Sequence, residues 1–529
     1  MSDPSSIPVG GATLLELLRR ARARATATGH PVLATYVEPL PGVDPLDAFD
    51  RCDGVSDRVY WARPSAGVAV VGVGAAVTVA PSGQGRFAAA ARMWRALLKD
   101  GLLGGPGAVA AEEAGETEGE EGFGRWPMLL GGFRFDTARP ADPLWLGYPD
   151  AWMVVPSLCL SVSSAGRWLT SSALVRPGEE VGARADALDR ERDRLIGAGG
   201  ANDPSAAWAA IAEALRRPGA GARAAEREGA ERERELAARG EFERGVALAS
   251  ESVREGRLDK VVIARAVEWQ RPRLAGLVPT LRRLGERYPD CHIFAVARGR
   301  RAFLGASPER LVEVSGDRVR ATSLAGSIGR KPTSEEDRRA GQSLLASAKN
   351  REEHAIVVRS LTSALSAVCE DVRAPAEPAL LTLPDVHHLY TPVTARLKPG
   401  VGVLDVVASL HPTPAVGGAP RGDAMEFIRV HERWDRGWYA APVGWMDARG
   451  NGEFAVALRS ALLDADKATL FAGCGIVGDS DPTDEYEESE LKLRAMRGAL
   501  DDGADDERAA VACERGDGNG QVDPSSTVE

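Results

Sequence analysis

The segment Gly473–Met496, GCGIVGDSDPTDEYEESELKLRAM, constrains the fold of this chain more than any other stretch. Asp481 is a good N-cap and Pro482 suits the first helical position, so a helix starts there. Its free backbone amides face back toward a glycine turn, and the loop between them can receive an anion. On that helix Glu485, Glu488 and Lys492 fall at i, i+3 and i+7, so two carboxylates and an ammonium share one face. Taken alone, that face is a solvated one carrying a Glu488–Lys492 pair. Beside the glycines it also reads as a metal ligand next to a carboxylate clamp.

Helical and strand-like patterns alternate along the rest of the chain, which predicts an α/β or α+β fold. Phe242, Val246, Ala249 and Val253 recur at helical spacing, with Gly256 as a stop. The run KVVIARAVEW predicts a strand with the ammonium of Lys260 at its start. Further helices are expected over 335–370 and 482–499, and strands over 302–314, 453–463 and 468–473. Strand-like runs dominate earlier, at 68–79, 127–136 and 152–162, where Phe133 and Phe135 alternate with Arg134 and Asp136 as in a half-buried strand. A soft boundary near residue 235 separates a strand-rich scaffold half, 1–235, from a region of stronger local signals, 236–501. Residues 219–240 predict a solvated helix or helical linker. Residues 110–124 read as an acidic insertion, and 502–529 as a disordered acidic tail.

A formal net charge of -11 without a basic block argues against nucleic acid as a partner. Six scattered cysteines make no CxxC pair and no zinc spacing, as in reduced cytosolic thiols. The first residues lack a basic-then-apolar leader, and the longest apolar run, Gly67–Ala80, is too short to span a bilayer. The expectation is a cytoplasmic protein that does not engage a membrane. GxGxxG, Walker and GxSxG patterns are absent, which removes the usual support for nucleotide, dinucleotide and serine-hydrolase chemistry.

Several polar residues sit in apolar surroundings. Glu352, Glu353 and His354 open an apolar helical stretch, and a hard cation such as magnesium takes oxygen ligands from one or two carboxylates. One glutamate from this helix and one from the Glu485/Glu488 helix would suffice; the bland alternative is surface charge. Glu309 follows Ser307-Pro308 in a strand-like run, so burial would raise its pKa as a general acid requires, unless it is an edge residue paired with an arginine. Arg459 and His388 also lie in strand-like runs; an inward arginine suits a carboxylate, whereas a histidine there is usually structural.

These blocks occur together and in one order: LDKVVIAR, FLGASPERL, SLAGSIGR, NREEH, HHLYTPV, LHPTPAVGG, DRGWYAAPVGW, EFAVALRSALL, GCGIV and EYEESELKL. In that order, over roughly residues 240–500, the chain resembles the chorismate-binding enzymes, and within them the isochorismate synthases. The resemblance implies a large two-layered fold of extended sheets flanked by helices, in which both halves build one structure around a central site. It implies a magnesium-assisted addition of water at C2 of chorismate with loss of the C4 hydroxyl, feeding menaquinone or siderophore biosynthesis. Lys260 would be the base, as in relatives that use water, and Glu309 the acid. Glu353 and Glu488 would hold magnesium, with Glu485 in support. Ala325, Gly326, Ser327, His388, Arg459, Gly473, Gly475 and Lys492 would line the substrate pocket, the glycines in a turn. Such enzymes are usually monomers. Ala348 and Asn350 stand where relatives carry acidic side chains, which implies weaker magnesium binding, and Cys474 stands where they carry Ala or Gly. The alternatives are a salicylate synthase, which eliminates pyruvate in the same pocket, and an inactive chorismate-binding paralogue.

Overall fold

The computed structural model describes residues 13–40, 42–108, 123–197, 224–270, 276–464 and 467–501. The expected tail and nearly all of the 110–124 insertion lie outside the described residues. Among the described residues the strands form two sheets, one of twelve strands and one of ten. Neighbouring strands pair antiparallel, apart from Val32–Pro39 with Leu102–Gly104, so the class is α+β rather than a parallel α/β sheet. The sheets lie face to face. A Cβ on Gly72 of the larger sheet would meet Leu130 of the smaller at 2.7 Å, and His292 of the larger reaches Glu453 of the smaller at 2.9 Å. Helices Leu14–Thr28, Leu277–Arg287 and Pro482–Leu500 cover the outer face of the larger sheet, whereas Arg86–Lys99, Ala348–Val368 and Val403–Leu410 lie against the smaller. No described helix is long and apolar enough to cross a membrane.

Four runs expected as single strands each divide in two, and in every case the halves belong to different sheets. The run 68–79 becomes Val68–Val73 and Val77–Val79, broken at Gly74, whose φ is 67°. The run 152–162 becomes Ala151–Val155 and Leu158–Ser163, broken at Pro156. The run 302–314 becomes Arg301–Ser307 and Arg310–Ser315, broken at Pro308-Glu309. The run 453–463 becomes Gly452–Val456 and Ser460–Asp464, broken at Arg459, whose φ is 47°. A proline that cannot donate, or a residue in the left-handed region, ends one ladder, and the chain crosses the sandwich to start another. The expected helix over 335–370 is likewise two, Ser334–Ala346 and Ala348–Val368, separated by Ser347, whose hydroxyl caps the second.

Each sheet is continuous across residue 235: the strands from before it and those from after it form two blocks that meet at one pairing, His292–Arg298 with Asp57–Arg63 in the larger sheet and Pro442–Asp447 with Met128–Phe133 in the smaller, and helix Ala224–Arg254 runs through that position. The boundary expected there therefore marks a change in sequence character, not a break in the fold. Met128–Phe133 is buried at every position, which corrects the half-buried reading of this strand. Arg134 just beyond it is buried as well, because its guanidinium reaches Asp435 at 2.7 Å and Asp150 at 3.3 Å.

Candidate active site

Two of the crossings deliver side chains to one cleft of about 880 Å³, counted out to its mouth. All thirteen residues singled out from the sequence line it: Lys260, Glu309, Ala325, Gly326, Ser327, Glu353, His388, Arg459, Gly473, Gly475, Glu485, Glu488 and Lys492.

Lys260 is the first residue of the strand Lys260–Gln270 and is only 1% exposed. Its Nζ donates to Glu353 Oε1 at 2.7 Å, across from helix Ala348–Val368. Gly475, on the neighbouring strand Lys467–Ile476, leaves room for that pair. A Cβ there would sit 2.5 Å from Glu353 Oε1 and 2.9 Å from Lys260 Nζ, so the glycine is a requirement of close approach.

Glu309 occupies the crossing between Arg301–Ser307 and Arg310–Ser315, and its backbone is pinned there. Its N–H donates to Ser307 Oγ at 3.2 Å, and its carbonyl accepts from the Val456 N–H at 3.0 Å. Burial pushes its carboxyl up to about 8, even though Lys260, Arg459 and Lys492 pull the other way. At neutral pH this carboxyl is predominantly the protonated, proton-donating form.

Arg459, at the neighbouring crossing, donates to His388 Nε2 at 3.2 Å, and His388 Nδ1 lies 2.9 Å from Ser327 Oγ. A guanidinium has no acceptor, so Nε2 must accept and the imidazole proton sits on Nδ1 toward Ser327. Burial, then Arg459 and Lys492, hold His388 well below its ordinary range, which keeps it neutral. Ser327 follows a β-bulge in the strand Arg318–Gly329, where Gly326 has φ 77°; the expected Gly326-Ser327 turn is this bulge. Lys492 Nζ donates to the Gly473 carbonyl at 2.8 Å and meets Glu488 at 2.6 Å.

Two expectations about the anion-receiving segment change. Gly473 and Gly475 lie inside a strand, opposite Ala264 and Val262, not in a turn. The first amides of helix Pro482–Leu500 are taken by Asp481 Oδ1, which accepts from Thr483 and Asp484 at 2.8 and 3.2 Å. The N-cap that starts the helix thus occupies the donors an incoming anion would use.

Glu353, Glu485 and Glu488 all line the cleft, and oxygens of Glu485 and Glu488 lie within 4.8 Å of each other. Burial, then the neighbouring Glu488, push Glu485 up to about 7, so two partly buried carboxylates repel each other there. A divalent hard cation relieves that repulsion and matches an oxygen donor set, so the residues fit magnesium. The Cys474 thiol is near the same oxygens, but burial holds it well above its ordinary value and its Sγ donates to the Glu485 carbonyl at 3.2 Å. It is therefore a neutral wall residue and a poor ligand for a hard cation. Asn350 lines the cleft, its amide nitrogen 2.8 Å from Ser347 Oγ, where an acidic side chain would add negative charge.

The sequence reading missed part of the wall. Tyr439 and Phe471 line it with their rings stacked 5.3 Å apart, and Trp434 packs against both, 5.6 Å from Phe471 and 6.2 Å from Tyr439. Arg436, also in the wall, forms a buried pair with Glu432 at 2.5 Å and donates to the carbonyls of Val262 and Val416. DRGWYAAPVGW held the signal, but apolar and aromatic residues in such a run read as core.

A family model described as chorismate binding enzyme matches residues 18–501. The chain is 39% identical over 487 residues to the salicylate biosynthesis isochorismate synthase of Pseudomonas aeruginosa, covering 91% of this chain and 93% of that one. It is 33% identical over 481 residues to the isochorismate synthase MenF of Bacillus subtilis, covering 90% and 95%. The structure of MenF, the menaquinone-specific isochorismate synthase from Escherichia coli, superposes with a TM-score of 0.67 at 23% identity, over 89% of this chain and 95% of that one.

Proposed function

This chain belongs to the chorismate-binding enzyme family, and on that premise we propose that it is an isochorismate synthase, converting chorismate to isochorismate as a cytoplasmic monomer that supplies menaquinone or siderophore biosynthesis. The observation that carries this reading is the pairing of a buried, proton-bearing Glu309 with a buried Lys260 in one cleft that also holds three carboxylates and Arg459.

Magnesium held by Glu353 and Glu488, with Glu485 in support, would neutralise the ring carboxylate. Lys260 Nζ removes a proton from the water that bonds to C2. The ring double bonds shift, and the C4–O bond breaks as Glu309 passes its proton to the departing hydroxyl. Nζ needs a free lone pair for this, so it must act as the neutral amine, one of whose two remaining N–H groups can still donate to Glu353. Arg459 and Lys492 supply fixed positive charge for the substrate's carboxylates, with Arg459 aimed by neutral His388.

Turnover in water enriched in oxygen-18 tests the route: isochorismate should gain two mass units from one incorporated oxygen. An unlabelled product would mean that the hydroxyl migrates within the ring, which removes the water-activating role from Lys260.

A further inference from the structure

Helix Pro482–Leu500 brings Glu485, Glu488 and Lys492 to the cleft, yet it packs on the opposite face of the larger sheet from Lys260. Side chains alternate along a strand, so Lys260 and Val262 face the cleft while Arg265 points to the helix side. Arg265 is 8% exposed and makes three contacts with that helix. Its Nε donates to Ser489 Oγ at 2.8 Å, a terminal nitrogen pairs with Glu490, and the guanidinium lies 4.3 Å over the Tyr486 ring. Arg239 covers the same ring at 4.5 Å, and Ser489 Oγ is anchored in turn on the Tyr486 carbonyl at 2.6 Å.

Residues 486, 489 and 490 form one stripe of the helix and 485, 488 and 492 another, about a third of a turn away. Fixing the first stripe fixes the direction of the second. A guanidinium suits this task because its planar fork stacks on one partner and donates sideways to others; an ammonium does not.

From this arrangement we infer that Arg265 is a positioning residue for the acidic helix: it sets the rotation at which Glu485 and Glu488 meet Glu353, and so sets magnesium affinity without touching substrate. The inference rests on the proposed magnesium site, and residues that orient ligands from behind typically change metal affinity by roughly 10–100-fold when removed.

The test is magnesium titration calorimetry on the full chain without chorismate, alongside turnover at rising magnesium. Arg265→Met should weaken binding at least tenfold and raise the magnesium KM equally, while kcat at saturating magnesium stays within about twofold. Arg265→Lys should recover little of the affinity. Ser489→Ala, a milder change that removes one hydrogen bond, should weaken binding about threefold in a protein whose near-ultraviolet dichroism is unchanged. Native-like magnesium affinity in either Arg265→Met or Ser489→Ala would overturn the inference, as would full rescue by lysine. If the native chain binds magnesium with this dependence but leaves chorismate unchanged, the positioning role stands and the isochorismate synthase reading falls.

Discussion

Lys260 Nζ and Glu353 Oε1 lie 2.7 Å apart with both side chains largely shielded from water, so the proposed base and a proposed metal ligand hold each other. Removing one partner of a buried pair strands the other charge, at a cost of about 3–5 kcal/mol. Lys260→Met should therefore lower the melting temperature without magnesium, and magnesium should restore more of it than it adds to the native chain. Turnover should fall by about 10²–10⁴-fold while chorismate still binds. Melting curves with and without magnesium and a chorismate binding isotherm check this; unchanged turnover would remove Lys260 from the chemistry.

Glu309 sets the alkaline limit. Its folded pKa, about 8, lies above the ordinary 4.5, so the proton-bearing form persists through neutrality and is lost as pH rises past about 8. The rate should fall over that range. Stability carries the same sign: the raised carboxyl's contribution is present below about 4.5 and is lost as pH climbs to about 8. Glu309→Gln should be inactive, yet should gain stability relative to the native chain between pH 5 and pH 9. Paired melting curves at the two pH values read this directly.

Gly475→Ala separates function from folding. The added methyl would crowd the buried ends of Lys260 and Glu353 without deleting either charge, so the melting temperature should fall by less than in Lys260→Met. The displaced base should cost at least a hundredfold in kcat. A steady-state comparison with a melting curve decides it, and near-native kcat would show that Lys260 need not occupy its observed place.

Arg459 holds φ 47°, a strain of about 1 kcal/mol or more for a residue with a Cβ. Arg459→Gly removes the strain but loosens the unfolded chain by a similar amount, so stability should stay within about 1 kcal/mol. The chorismate KM should rise at least tenfold as the guanidinium and its hold on His388 disappear. Urea unfolding and initial rates measure the two effects separately.

The helices of the site were legible because their signals are local: Asp481 caps and Pro482 starts the last helix as its sequence predicts. Lys260 at a strand start was legible for the same reason. What could not be read was where a strand changes sheet. Pro308 and Arg459 interrupt apolar runs whose two sides look alike, because both sheets bury the same residue types, and no local pattern says which sheet comes next. Glu309 and Arg459 sit on those crossings, so their chemistry was visible in the sequence while their positions facing one cleft were set by pairings across 150 residues, such as Leu304 with Ala461. The direction of the Gly473–Gly475 segment was misjudged for a related reason: glycines that a turn would favour give room within a strand, Gly475 to Lys260 and Glu353, and Gly473 to Ala264 and Tyr439.

The central claim is best tested by incubating the purified full chain with chorismate and magnesium and separating the products by chromatography with mass detection, beside a magnesium-free control. A product isobaric with chorismate that elutes apart from it, formed only with magnesium, is the predicted result. Salicylate with pyruvate, or chorismate left unchanged in the presence of magnesium, would contradict it.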